Sequence, residues 1–269
     1  MSSTIHTPSS PNYIVEIVTV QAGAFKTMIE ALKEIITETN IDFLPNGIRI
    51  VSANPSSTIL VCVKLENENF NKYYCKHKFS AGVIMMNFFK IIRVLSNNDT
   101  LTLFIEEGNN HKLGIKIENA DKNTSTTYYL NLIDVDPTQF NIPPIEFPSI
   151  ITMPSNEFDK ICRDMNNISS VIEIKSVDNN LIFSCEGDFA SQETIMGPKE
   201  NGLNFVKNDN TEIIQGYYNL RDLVLFSKCM KLSQSVEIYM KNNFLIVFCF
   251  AIGSLGSVKI AMSPYAGSD

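Results

Sequence analysis

Displaced by 133 residues, the first half of this chain falls into register with the second. Phe25 lands on Phe158, Ile29 on Cys162, Leu32 on Met165 and Ile35 on Ile168. The same displacement carries Asn46 to Asn179, Ile48 to Leu181 and Ile50 to Phe183. Apolar positions at helical spacing, then a turn and its following strand, keep step without a gap. One offset shared by two kinds of element points to a duplicated strand–helix–hairpin unit. The chain is therefore expected to form two similar units, and 269 residues suffice for two domains that each bury a core.

The local patterns spell out that unit. Residues 13–20 are β-branched and read as a strand. Over 24–39 the period changes: Phe25, Met28, Ile29, Leu32, Ile35 and Ile36 recur at three and four and predict an amphipathic helix. Pro45-Asn46-Gly47 predicts a hairpin between strands at 41–43 and 48–52. Strands are expected at 58–65 and 73–79, a second helix near 85–95, and strands at 100–106, 112–118 and 126–135. In the second half, a strand at 150–153 leads into a helix running to about Ile168, with Ser155 as its N-cap. A hairpin follows over Asp178-Asn179-Asn180, then a helix at 220–232 and strands at 236–240, 244–251 and 257–262.

Between the units lies a proline-rich seam. Pro137, Pro143, Pro144 and Pro148 exclude a central strand or a helix interior, so 134–148 reads as an extended connector. It carries Phe140, Ile142 and Ile145, apolar side chains that a mere spacer would lack, and this suggests a docking surface. Residues 1–11 are polar, with no apolar stretch of the secretory-signal kind, and are expected to be a disordered tail. No apolar run is long enough to cross a bilayer as a helix.

Six cysteines contain no C-x-x-C pair and are expected to be reduced thiols. Cys75 and His77 are two apart, but further ligands are missing and no metal site is predicted. His6, His77 and His111 have no catalytic partners in pattern, and no Gly-rich phosphate loop or carboxylate pair appears. The chain is read as a non-enzyme without a cofactor.

The formal net charge of −7 at first argues against nucleic acid. Local patches matter more than the total, because charges are screened over about 8 Å at physiological salt. All four expected helices carry cations away from the apolar stripe: Lys26 and Lys33, Lys90 and Arg93, Lys160 and Arg163, Arg221 and Lys228 with Lys231 just beyond. For a single helix this would be an ordinary solvated face. Recurrence in four helices of an acidic chain predicts one positive surface that grips phosphates without reading bases. No aromatics interleave the cations, so duplex rather than single strand is expected.

Three stretches are distinctive: Glu30-Ala31-Leu32-Lys33, the run from Leu132 to Pro143 (Leu-Ile-Asp-Val-Asp-Pro-Thr-Gln-Phe-Asn-Ile-Pro), and the run from Met153 to Met165 (Met-Pro-Ser-Asn-Glu-Phe-Asp-Lys-Ile-Cys-Arg-Asp-Met). On these the chain resembles, from about Tyr13 to Pro264, the eukaryotic-type sliding clamps, the proliferating cell nuclear antigen family. The resemblance implies an α+β DNA clamp fold, two similar domains per chain, helices inside and antiparallel sheets outside. The domains would be 12–133 and 149–265, joined by the connecting loop 134–148. The resemblance also implies a homotrimeric ring that encircles duplex DNA, tethers a polymerase and other proteins bearing a clamp-binding peptide, and is opened by a clamp-loader ATPase. Lys26, Lys33, Lys90, Arg93, Arg163, Arg221 and Lys228 would face DNA; helical spacing supports Lys160 and Lys231 as well, the family pattern less so. The partner-peptide pocket would comprise Ala53, Leu60, Phe140, Ile142, Phe244, Ala261, Ser263 and Pro264. Subunits would join edge to edge through Tyr128 and Leu130 on one side and Phe189 and Ile195 on the other. A nuclear location is implied, or a cytoplasmic replication site for a viral clamp.

Departures from the family pattern bear on partners and regulation. Ala53-Asn54-Pro55 stands where the family has methionine–aspartate–serine, and Ala261 stands where it has a tyrosine. The lysine used for ubiquitin attachment has no counterpart at the turn Val177-Asp178-Asn179-Asn180. The alternatives are a subunit of a checkpoint-type heterotrimeric clamp and a monomeric viral processivity factor of the same fold.

Overall fold

The computed structural model describes residues 12–136, 145–209, 212–265 and 267; the expected tail and the centre of the connector lie outside them. Strand β1 (Tyr13–Thr19) leads into α1 (Ala22–Ile35), which buries Phe25, Met28, Ile29, Leu32 and Ile35 as the period predicts. The helix stops short of the expected Thr39. Ile36 is already extended, and residues 38 onward belong to β2 (Glu38–Leu44). Thr39 there is buried and pairs with Val83, so a sheet partner outweighs the local helical pattern. A two-residue turn joins β2 to β3 (Gly47–Ala53), with Leu44 opposite Gly47. Gly47 has φ +141°, and a Cβ there would sit 2.0 Å from the Leu65 carbonyl oxygen. Only glycine fits that approach.

Strand β4 (Ile59–Glu66) follows. The single strand expected at 73–79 is two: β5 (Lys72–Cys75) and β6 (Phe79–Ile84). Between them the Lys76 N–H bonds the Ile14 carbonyl at 2.9 Å, and the chain changes sheets. Helix α2 (Met85–Ile92) and strands β7 (Thr100–Glu106), β8 (Lys112–Asn119) and β9 (Thr124–Asn131) complete the first half.

The second half repeats the first at the predicted offset. Strand β10 (Ser149–Pro154) precedes α3 (Ser155–Asn166), β11 (Val171–Val177) and β12 (Asn180–Glu186). Helices α1 and α3 begin at 22 and 155, β2 and β11 at 38 and 171, and β3 and β12 at 47 and 180, each pair 133 apart. Ser155 is not the N-cap. Pro154 holds that position, while Ser155 is the first helical residue with a buried hydroxyl lacking a partner among the described residues. The β11–β12 hairpin turns through Asp178 and Asn179 at φ 48° and 61°, a primed turn suited to the strand twist.

Strands β13 (Ser191–Met196), β14 (Asn204–Asn208) and β15 (Ile214–Asn219) come next. Neither β14 nor β15 was expected, since one is short and polar and the other contains Gly216. The long helix expected at 220–232 is α4 (Leu220–Leu225) followed by a 3-10 segment, Phe226–Lys231. Leu220, Leu223, Phe226 and Cys229 are all fully buried. Met230 is buried as well, but the spacing of three among the fully buried side chains suits a 3-10 helix, in which residues i and i+3 eclipse. Strands β16 (Ser235–Met240), β17 (Ile246–Ile252) and β18 (Gly256–Met262) close the chain.

The strands form three antiparallel sheets. Five strands run β5-β1-β7-β8-β9, four run β13-β12-β11-β15, and nine run β14-β10-β16-β17-β18-β4-β3-β2-β6. The nine-stranded sheet crosses from one half to the other where β18 pairs with β4, from Gly256 opposite Leu65 to Met262 opposite Ile59. The apolar core is likewise continuous through both halves rather than two separate cores. On it lies one helical layer: α1 packs against α2 and the 3-10 segment, which with α4 packs against α3.

Candidate functional site

The helical layer brings the predicted cations together, in different states. Lys90, Arg93, Lys160, Arg221 and Lys231 are exposed and make no ion pair with another described residue. Arg221 also opens on a small cleft of about 310 Å³ beside the end of α3. Arg163 pairs with Asp159 one turn earlier, at 2.6 Å. Lys228 reaches across to Glu30 of α1, at 3.1 Å. Lys26 donates from Nζ to the Leu95 carbonyl at 2.7 Å. Lys33 is the most enclosed, its side chain 11% exposed; it pairs with Glu34, and Nζ lies 4.8 Å from the Phe89 ring centre.

On the nine-stranded sheet is a cleft of about 1460 Å³. Four of the predicted pocket residues line it: Ala53, Leu60, Ala261 and Ser263. Register explains why. Ala53 is opposite Leu60, Leu60 opposite Ala261, and Ala261 opposite Val247, so one row of outward side chains crosses four strands. The rim is charged, with Glu38, Asp42, Asp134 and Asp136 against Arg49 and Lys78. No sequence signal singled out these six: alternation along a strand tells which residues share a face, not which strands adjoin.

The two described ends of the connector are fastened. Ile133 N–H bonds the Gly82 carbonyl at 2.9 Å, and Asn40 Nδ2 donates to the Val135 carbonyl at 2.9 Å. A Cβ on Gly82 would meet the Ile133 carbonyl oxygen at 2.1 Å. At the other end Phe147 packs edge-on against Tyr239 and Phe244, with ring centres 5.5 and 6.2 Å away. Phe244, predicted as a pocket residue, is thus part of this aromatic anchor, beside the cleft-lining Leu245. Tyr239 donates to Glu237 at 2.6 Å, and burial, with that carboxylate, pushes its phenol well above the usual range. Pro264 is exposed next to Ser263, whose N–H bonds the Thr58 carbonyl at 3.0 Å. Phe140 and Ile142 lie outside the described residues.

The predicted joining edges are sheet edges: β9 ends the five-stranded sheet and β13 the four-stranded one. Tyr128 and Leu130 are half-buried and lean on the core, whereas Phe189 (77%) and Ile195 (59%) stand in solvent. Sequence reasoning passed over Tyr129, which is half exposed on β9 and continues a row of rings with Phe104 and Tyr13. Cys75 Sγ donates to the His77 carbonyl, and no cluster of three metal-ligating side chains occurs among the described residues.

Comparison with known proteins matches both halves. The model for the proliferating cell nuclear antigen N-terminal domain matches residues 14–139, and that for its C-terminal domain matches 141–265. The chain is 34% identical over 257 residues to a probable DNA polymerase sliding clamp 1 of Paramecium bursaria Chlorella virus 1, covering 94% of this chain and 97% of that relative. It is 28% identical over 252 residues to the proliferating cell nuclear antigen of Chaetomium thermophilum, covering 93% and 97%. A probable DNA polymerase sliding clamp of Acanthamoeba polyphaga mimivirus is also 28% identical, over 94% of this chain and 62% of the relative. With both domain models in tandem on a fold whose halves repeat, the chain belongs to the proliferating cell nuclear antigen family.

Proposed function

We propose that this DNA sliding clamp and polymerase processivity factor works as a closed ring of three copies, helices inward around duplex DNA. What supports the reading is one helical layer, backed by antiparallel sheets, whose exposed side carries Lys90, Arg93, Lys160, Arg221 and Lys231, none of them in an ion pair with another described residue. Contacts of this kind are sequence-blind and weaken with salt. Retention on DNA is topological, so each contact can be weak enough to permit sliding. Ring closure runs through β9 of one copy and β13 of the next, which removes both exposed edges. Phe189 and Ile195, with Tyr128 and Leu130, flank that pairing. The clamp domains are taken as 12–133 and 149–265, with 134–148 as connector.

The outer cleft receives a peptide of the polymerase or another replication or repair protein. Its floor of Ala53, Leu60 and Ala261 and the neighbouring Ser263, Pro264 and Phe244 suit a helical anchor set, with Phe140 and Ile142 supplied by the connector. A clamp-loader ATPase opens the ring. The chain itself catalyses nothing and needs no cofactor. It acts at replication sites, in the nucleus for a cellular clamp or in the cytoplasm for a virus that replicates there.

Light scattering tests the ring: a homotrimer has about 90 kDa, three times the 30.2 kDa chain. Phe189→Asp with Ile195→Asp is expected to lower that mass to one chain. A single-chain mass for the unaltered protein would favour the monomeric viral factor, and a stable mixed complex the checkpoint-type subunit. Primer extension on a circular template, with and without loader, tests processivity; product length unchanged by the clamp would end the reading.

A further inference from the structure

We propose that Asp222 and Thr58 are a positioning pair for the outer cleft. Through them β15 and α4, from the second half of the chain, act as a bracket that sets the spacing of two cleft walls. The proposal rests on the peptide-docking reading above and names what holds that site in shape.

The first wall is the loop 54–58 between β3 and β4, whose Ser57 and Thr58 line the cleft. One asparagine knits it together. Asn54 is buried, 9% exposed, and every polar group it has is used. Its Oδ1 accepts from the Ile59 N–H at 2.9 Å, and its Nδ2 donates to Ser56 Oγ at 2.8 Å and to Thr58 Oγ1 at 3.1 Å. Its backbone N–H bonds the Ile59 carbonyl, and its carbonyl accepts from the Ser57 N–H, both at 2.9 Å. These bonds hold Ser57 at φ 58°, a left-handed conformation uncommon for serine. A loop so closed on itself moves as a unit, and its ties to the rest of the molecule fix where it stands. Ala53 precedes it and Leu60 follows it closely, so its setting carries over to the cleft floor.

The ties come from far along the chain and meet at Thr58. Its hydroxyl accepts from Asn54 and donates to Asp222 Oδ2 at 3.3 Å, across 164 residues. Its carbonyl accepts from the N–H of Ser263, the cleft-lining residue that opens the C-terminal segment, at 3.0 Å. That segment is the second wall. Further on, the Tyr265 N–H bonds the Tyr217 carbonyl at 2.7 Å. Tyr217 lies on β15, and Asp222 lies in the first turn of α4, which follows β15 directly. One continuous stretch therefore holds the loop by a carboxylate and the C-terminal segment by a carbonyl. Asp222 has a second role that any test must separate: a carboxylate in the first turn also favours the helix itself.

The test is fluorescence anisotropy of the full-length protein with a labelled amphipathic peptide. The peptide carries an aliphatic residue and two aromatics at the helical spacing i, i+3, i+4. Thr58→Val and Asp222→Ala are each expected to weaken its binding about fivefold, as for loss of a hydrogen bond to a charged group. The double variant is expected to lose no more than either single one, because the two residues act through one bond. Thr58→Ser keeps the hydroxyl and Asp222→Asn keeps an accepting oxygen, and both are expected to stay within about twofold of the unaltered protein. If the two losses multiply in the double variant, the residues act separately and the pairing is overturned. Equal binding by the unaltered protein and all four single variants overturns it too, with the cleft reading intact. A peptide that fails to bind the unaltered protein removes the cleft reading, and the proposal falls with it.

Discussion

At the scale of single residues, environment decides what identical side chains do. Lys33 and Lys90 have the same chemistry and comparable helical positions, yet one is enclosed by Phe89 and Glu34 and the other is exposed, without an ion pair among the described residues. The thiols divide in the same way. Cys229 is fully buried and its thiol is pushed up to about 12 by burial; Cys162 is raised by burial too, aided by the Asp159 charge. A thiol attacks only as thiolate, so both are expected to stay unmodified by a maleimide at mildly alkaline pH until the protein unfolds. Mass spectrometry of labelled native protein checks this, and early labelling of either would contradict the packing. Gly114 is a second sensitive position: a Cβ there would lie 2.2 Å from the Phe104 ring. Gly114→Val is expected to cost about 1–3 kcal/mol by overpacking, seen as a lowered melting temperature. The glycine was visible in the sequence, but the ring that lies over it was not.

At the scale of elements, short-range patterns were reliable where a long apolar stripe or a turn motif dominated. The stripes of α1 and α3 and the two hairpins stand where their residues placed them. The misplacements share a cause: tertiary partners took over residues whose own pattern was indifferent. Residues 38–39 joined β2 because β6 lay alongside, and 76–78 became a crossing between sheets. The helix at 220–232 changed to 3-10 after Leu225, and here the signal was present. Leu220, Leu223, Phe226 and Cys229, the fully buried side chains, repeat at three, with Met230 buried beside them. Asn219 caps this element, its Oδ1 accepting from the Arg221 N–H at 2.9 Å. Asn219→Ala is expected to lose about 1 kcal/mol, and thermal unfolding by circular dichroism measures it. Because Arg221 sits at the start of the same helix, the substitution should also weaken duplex binding. Unchanged stability would mean that packing of the apolar stripe alone holds α4.

At the scale of the whole molecule, the two repeats are not free-standing. The β18–β4 ladder makes one nine-stranded sheet of both halves. Across the same seam Gln21 Nε2 donates to Ser254 Oγ at 2.7 Å, Asn69 Nδ2 to the Leu255 carbonyl at 3.3 Å, and Lys228 pairs with Glu30. Cutting the chain within the connector would bare two long central strands, β4 and β18, as edges. The halves expressed separately are therefore expected to aggregate, and the intact chain to unfold in one transition. Coincident denaturation curves from fluorescence and circular dichroism check the second point; two resolved transitions would show that the halves are independent. Fusion within the chain also directs opening of the proposed ring to the joints between copies, where only β9 and β13 edges meet.

The duplication, the helices with their cation-bearing faces, the hairpins and the proline seam all follow from residues a few positions apart, or from one offset repeated along the chain. Such features depend on local periodicity, and periodicity survives in a linear string. The pairing of β4 with β18, the charged rim on the cleft and the sorting of lysines into free and enclosed depend on residues distant in the chain meeting in space. Burial beside a particular ring or carbonyl sets the state of a cation, and only the assembled sheets and helices determine which ring or carbonyl that is.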